Sequence, residues 1–164
     1  MQMPKITTPL NGHVHIKAWE KQADGSEKLI KDDTIKNLVV TVGKDAILKF
    51  LGNISGGGYV DDIGVGDSTT AAAVGQTDLQ GTAVWKTIVT ADRVFITPTL
   101  YVSTEFGYSE ANFTWNEMGI RDNQGTPILW ARQIDASPLV KTSSKRAIVA
   151  VSYTHLTLPT TPYV

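Results

Sequence analysis

His13-Val14-His15-Ile16-Lys17-Ala18-Trp19 is the stretch that decides the fold of this chain. Val14, Ile16 and Ala18 alternate with His13, His15, Lys17 and Trp19. On an extended backbone the two sets fall on opposite faces, one apolar and one polar. Asp24-Gly25 follows, a pair suited to the φ > 0 positions of a tight hairpin turn, and Lys28 to Lys31 reads as the returning strand. The same period-two pattern, broken by turn residues, recurs along the chain. It predicts a mainly-β protein, an antiparallel β-sandwich-like domain.

Leu38, Val40 and Val42 alternate in the next strand, and Val39 makes it apolar on both faces, as in a central strand. One short α-helix is predicted at about 43–51. Ala46, Ile47, Phe50 and Leu51 form its apolar stripe, and Lys44, Asp45 and Lys49 take the other side. Thr41 reads as its N-cap and Gly52 as the glycine just past its end. Gly56-Gly57-Gly58 reads as a linker or bulge. Further strands are expected at Tyr59 to Val65, Thr82 to Thr90 and Arg93 to Phe106, where Pro98 restricts the ladder. Phe113 to Arg121 and Ile128 to Ile134 read as a hairpin around Asp122-Asn123-Gln124-Gly125, and Ala147 to Val151 begins a last strand. No internal repeat or domain boundary is visible, so residues 1–151 read as a single β-rich domain.

Ile63-Gly64-Val65-Gly66-Asp67-Ser68-Thr69-Thr70-Ala71-Ala72-Ala73 stands out within that pattern. The two glycines predict a sharp turn, with φ > 0 at one of them, into a long loop of small residues that runs to Thr77-Asp78-Leu79. The block is similar to a Gly-x-Gly-x-[Ser/Thr]-[Ser/Thr]-x-x-Ala pattern of small tail-associated virion proteins of bacteriophages. Four flanking blocks resemble the same proteins in the same order. They are Asn37-Leu38-Val39-Val40-Thr41-Val42-Gly43, Trp115-Asn116-Glu117-Met118-Gly119-Ile120-Arg121, Gly125-Thr126-Pro127-Ile128-Leu129-Trp130-Ala131-Arg132 and Pro138-Leu139-Val140-Lys141. An acidic residue before x-Gly-[Ile/Leu/Val], here Glu117 before Met118-Gly119-Ile120, is a recurring element of that family.

The resemblance implies a structural or adaptor component of a bacteriophage tail, baseplate or tail fibre. Such a protein is made in the host cytoplasm, resides in the virion tail and acts by protein–protein assembly. Other phage tail proteins are the implied partners, with homo-oligomers, a trimer first among them. A carbohydrate- or receptor-binding β module that contacts host surface glycan is the alternative reading, and a small hydrolase the third. Under the first reading a lone subunit should look incomplete, with an open sheet edge or an apolar patch.

The C-terminus carries a different message. Val151-Ser152-Tyr153-Thr154-His155-Leu156-Thr157-Leu158-Pro159-Thr160 resembles a translated sequencing adapter, the transposon end used in library preparation. Residues 152–164 therefore read as a non-native read-through tail that packs poorly, and His155 is given no role.

Composition narrows the function classes. Lys+Arg 15 against Asp+Glu 16 gives a net charge of -1, which offers no electrostatic footprint for nucleic acid or an anionic membrane. Hydrophobic residues at 41% suffice for a packed core. With Cys 0 there is neither a disulfide scaffold nor a thiolate metal site. No apolar run approaches the ~20 residues of a membrane-spanning helix, and the N-terminus shows no signal peptide. The expectation is a soluble protein without a cofactor.

Candidate chemistry is sparse. His13 and His15 share a strand face and could share a metal, but two ligands are not a site, and solvated strand histidines are the commoner case. Asp61, Asp62 and Asp67 could offer oxygens to a cation, yet lack the alternation and closing Glu of a calcium loop. Short acidic side chains that satisfy turn backbone are the bland alternative. Gly43-Lys44 is not a phosphate loop, because Leu38 stands where its first glycine should be. Ser55 lacks the glycine two residues before it that a nucleophile elbow requires. No catalytic residue is assigned. Gly64, Gly66, Glu117 and Gly119 read as structural, and burial of the Glu117 carboxylate would demand a cation from Arg121, Arg132 or Lys141.

Overall fold

The computed structural model describes residues 11–154, so most of the expected tail, from 155 to 164, lies outside the described residues. The strands are β1 (Asn11–Lys21), β2 (Glu27–Lys36), β3 (Leu38–Val39), β4 (Asp62–Gly66), β5 (Ala83–Thr87), β6 (Arg93–Ile96), β7 (Thr99–Phe106), β8 (Thr114–Arg121), β9 (Leu129–Val140) and β10 (Lys145–Thr154). Among the described residues one helix, α1, spans Thr41–Leu51, and a 3-10 turn covers Thr90–Asp92. Two five-stranded antiparallel sheets result. Sheet A has the order β2-β1-β10-β7-β6 and sheet B the order β3-β9-β8-β4-β5. The mainly-β, sandwich-like expectation holds.

Alternation builds the core. Val14, Ile16 and Ala18 of β1, Val102 and Phe106 of β7, and Ala147, Val149 and Val151 of β10 point inward from sheet A. They meet Ile63, Val65, Trp115, Met118, Ile120 and Ala131 from sheet B. Phe106 and Trp115 pack edge to face at 5.1 Å between centroids, and the Trp115 indole N–H donates to Ala111 O at 2.8 Å. One fully sequestered ring thus keeps its polar handle satisfied.

Several local expectations change. Leu38, Val40 and Val42 do not form one central strand. β3 stops at Val39 on the edge of sheet B, and Val42 belongs to the helix. Val40, in extended conformation, occupies the N-cap position without a side-chain cap bond, and Thr41 is the first helical residue. Its N–H is taken by Val74 O at 2.8 Å, so a distant loop does the work of a cap. At the other end Gly52 keeps φ at -83°, and the left-handed residue is Asn53 at 52°. Asparagine tolerates that region because its short amide can bond locally.

The helix stripe is also displaced. α1 buries Gly43 and Ala46, while Leu48, Phe50 and Leu51 stay exposed. The cause is close approach. A Cβ on Gly43 would lie 2.5 Å from Trp130 Cα, so the first turns press on β9 and the last turn runs past the sheet. Strand β10 continues to Thr154, paired to β1 and β7 on both sides, with Ser152 and Tyr153 buried. Tyr153 joins the core and its hydroxyl accepts from the Asn37 amide at 3.0 Å, so residues 152–154 pack well, against the poor packing expected for that segment.

Candidate functional site

The outer face of sheet B, the one turned away from the core, brings together Gly64, Gly66, Glu117, Gly119 and Arg132. In register, Gly64 faces Gly119 across β4 and β8, and Gly66 faces Glu117. Residues two apart on a strand share a face, so Gly64, Gly66 and Gly119 line one trough. Each leaves room for a particular side chain. A Cβ on Gly64 would strike the Trp85 ring, one on Gly66 would lie 2.6 Å from Glu117 Oε1, and one on Gly119 would lie 3.0 Å from Leu79 Cδ2.

Neither Gly64 nor Gly66 has positive φ, so the expected sharp turn is not there. Both lie inside β4, whose five residues are all buried. The glycines serve close packing rather than backbone reversal.

Glu117 sits at the floor of this trough, fully buried, and its cation is Arg132, equally buried, with Nε donating to Oε2 at 2.6 Å. The remaining acceptor capacity of the carboxylate goes to the loop after β4. The Gly81 N–H donates to Oε1 at 2.8 Å, and the Gln80 N–H reaches both oxygens at 3.0 Å. Arg132 holds the other arm of the same loop, donating from Nη2 to Thr70 O at 2.7 Å and from Nη1 to Gln76 Oε1 at 3.0 Å. Gln76 in turn accepts from Ala73 N and donates to Ala71 O, while Asn116 donates to Asp67 O at 2.7 Å. The buried pair therefore acts as a clasp. It fixes residues 67–82 over sheet B, and Leu79 plugs the trough beneath.

Of the cations weighed for Glu117, the other two work elsewhere. Arg121 stacks on Trp85 with 4.2 Å to the ring centroid and pairs with Asp62 at 3.0 Å. Lys141 donates to Gly107 O, Glu110 O and Asn112 Oδ1 within 3.1 Å, organising the loop before β8. Burial pushes its pKa below the usual lysine range, with Glu110 opposing.

The acidic candidates do not converge. Asp61 accepts from Asn123 N and the Gln124 amide, Asp62 from Arg121 and Thr87, and Asp67 from Thr82 N. Each satisfies neighbouring donors, as short acidic side chains do in turns. His13 and His15 share the outer face of sheet A. The ring of His15 spans the hydroxyls of Thr34, at 2.9 Å, and Ser152, at 3.2 Å. Among the described residues no group of three or more His, Asp or Glu side chains could hold a metal ion.

Beside the clasp runs an open groove of about 530 Å³, with Asn37, Leu38, Thr69, Ala72, Gln133 and Ile134 in its walls. Sequence patterns miss the anchoring roles of Gln76 and Asn116, because an uncharged amide in a loop gives no periodic signal. No described helix is long and apolar enough to cross a membrane. No family model, curated protein or solved structure matches this chain.

Proposed function

We propose that this protein is a structural or adaptor subunit of a bacteriophage tail, baseplate or tail fibre, residing in the virion and working by assembly. The observation that carries the reading is the bare end of α1. Leu48, Phe50, Leu51 and Ile54 are 57–65% exposed on consecutive turns of backbone that the other described residues leave uncovered. Large apolar side chains left uncovered at the end of one helix favour a protein partner. The clasp supports the same reading, because it holds a small-residue loop as a firm surface rather than a mobile lid. Other tail proteins and further copies of this chain are the partners, with three-fold symmetry taken from the resemblance.

The glycan-binding alternative needs aromatic rings that share one exposed face. Trp19 lies on the outer face of sheet A beneath Arg146, and Trp85 on the outer face of sheet B beneath Arg121. These two rings share no face, so together they make no platform for a sugar. Sedimentation of the protein, alone and mixed with other tail proteins, is the test. Species larger than the subunit are expected at high micromolar concentration. A monomer that binds neither itself nor any tail protein overturns the proposal.

A further inference from the structure

We infer that the free edge of β6 is an interface between two copies of this chain, paired antiparallel across a two-fold axis; the inference rests on the assembly reading above. Among the described residues β6 is the last strand of sheet A on one side, and β2 is the last on the other. The two edges are built differently. β2 carries Glu27, Lys28, Lys31, Asp32, Asp33 and Lys36 among its ten residues, and charge of that density discourages edge-to-edge pairing. β6 reads Arg93-Val94-Phe95-Ile96, with Phe95 and Ile96 68% and 63% exposed and Val94 also uncovered. Its one charged side chain turns back into its own subunit, where Arg93 donates to Ile88 O and Val60 O. Nothing on β6 therefore repels an incoming strand, and its outward N–H and C=O groups are a ready template.

A second copy is the occupant that matches this edge. In an antiparallel pair centred on Phe95, that residue meets its own counterpart. Val94 meets Ile96, and Arg93 meets Thr97, so like charges stay at opposite ends. Phe95 shares a face of the sheet with Leu100, while Val94 and Ile96 share the other with Tyr101, so an added strand covers apolar side chains on both faces. A two-fold contact closes on itself, so it adds one partner and stops. It coexists with a trimer only in an even-numbered assembly, of which a hexamer is the smallest.

Sedimentation velocity on the full chain, beside the double variant Phe95→Lys/Ile96→Lys, tests this. Both substituted side chains already face solvent, and a thermal melt of each sample checks that the fold persists. The expected result is a wild-type dimer or hexamer, with the concentration for two-fold association raised at least about tenfold in the variant at unchanged melting temperature. If the double variant melts early, Phe95→Thr, which keeps β propensity, must give the same loss of association. An assembly that both variants leave unchanged overturns the β6 interface while the assembly reading stands. So does an odd-numbered assembly. A wild-type chain that stays monomeric yet binds other tail proteins likewise overturns this inference alone.

Discussion

On the outer face of sheet A, His13, His15, Lys17 and Trp19 look out from β1 between Asp32 and Thr34 of β2 and Arg146 and Ala150 of β10, partly or fully open to water. The ion pair of Lys17 with Asp32 there, at 3.3 Å, is half exposed on both sides. On sheet B the same position in the architecture is roofed by residues 67–82 and the start of α1, and its ion pair is wholly buried. A solvated face tolerates almost any polar side chain. A roofed face must satisfy every polar group and leave room for every side chain, so small changes there are expensive.

The strongest test of that contrast is to break the clasp. Glu117→Ala leaves the Arg132 guanidinium buried without its carboxylate and frees the Gln80 and Gly81 N–H groups, which should cost about 3–5 kcal/mol. Chemical denaturation measures the loss, and limited proteolysis should show early cutting within residues 67–82. Lys17→Ala on the open face should change stability by less than about 0.5 kcal/mol. Similar losses at both sites would dissolve the distinction between the faces.

The trough glycines come next. Gly64→Val must displace the Trp85 ring and the Arg121 stacked on it, and Gly66→Val must push on Glu117. A loss of about 1–3 kcal/mol is expected for each from overpacking alone. Because the conflict is with side chains and not with φ, Trp85→Ala should recover part of the Gly64→Val loss. Rescue absent from the double variant would point back to backbone strain.

The contrast between faces also governs how much of the fold and the clasp is legible in the amino-acid sequence. Val14, Ile16 and Ala18 mark β1 because sheet A has one wet face and one dry face, which is what alternation detects. β4 gives no alternation, since all five residues from Asp62 to Gly66 are buried, and its glycines therefore imitate a turn. Glu117 is legible as a buried carboxylate with one of three cations. The choice of Arg132 depends on the pairing of β8 with β9, a long-range fact absent from any short window. Phe50 and Leu51 belong to an apolar stripe by helical period, yet both are exposed. Period shows which residues share a side, and whether anything covers that side depends on where the helix leaves its sheet.

The smallest effect belongs to the open face and concerns pH. Partial burial lowers the His15 pKa below the ordinary 6.5, and neighbouring His13 and Lys17 push the same way, while Asp32 opposes. Thr34 and Ser152, the hydroxyls on either side, bring no charge. The unfolded chain then takes up this proton before the folded one does. The contribution of His15 is therefore fully present above pH 6.5 and is lost as pH falls through the lower folded value. Melting temperature should therefore decline as pH falls from 7 toward 5. His15→Gln keeps a hydrogen-bonding side chain but removes the titration, so its profile over that range should be flatter. Lys31, which reaches from β2 to Asp135 of β9, supplies the control. Burial pulls its pKa down, but Asp33 and Asp135 outweigh that pull and hold it above the usual lysine range. It therefore titrates far above this window and adds nothing to the slope between pH 7 and pH 5. A wild-type slope that survives His15→Gln would move the pH sensitivity to other groups and leave the open face silent.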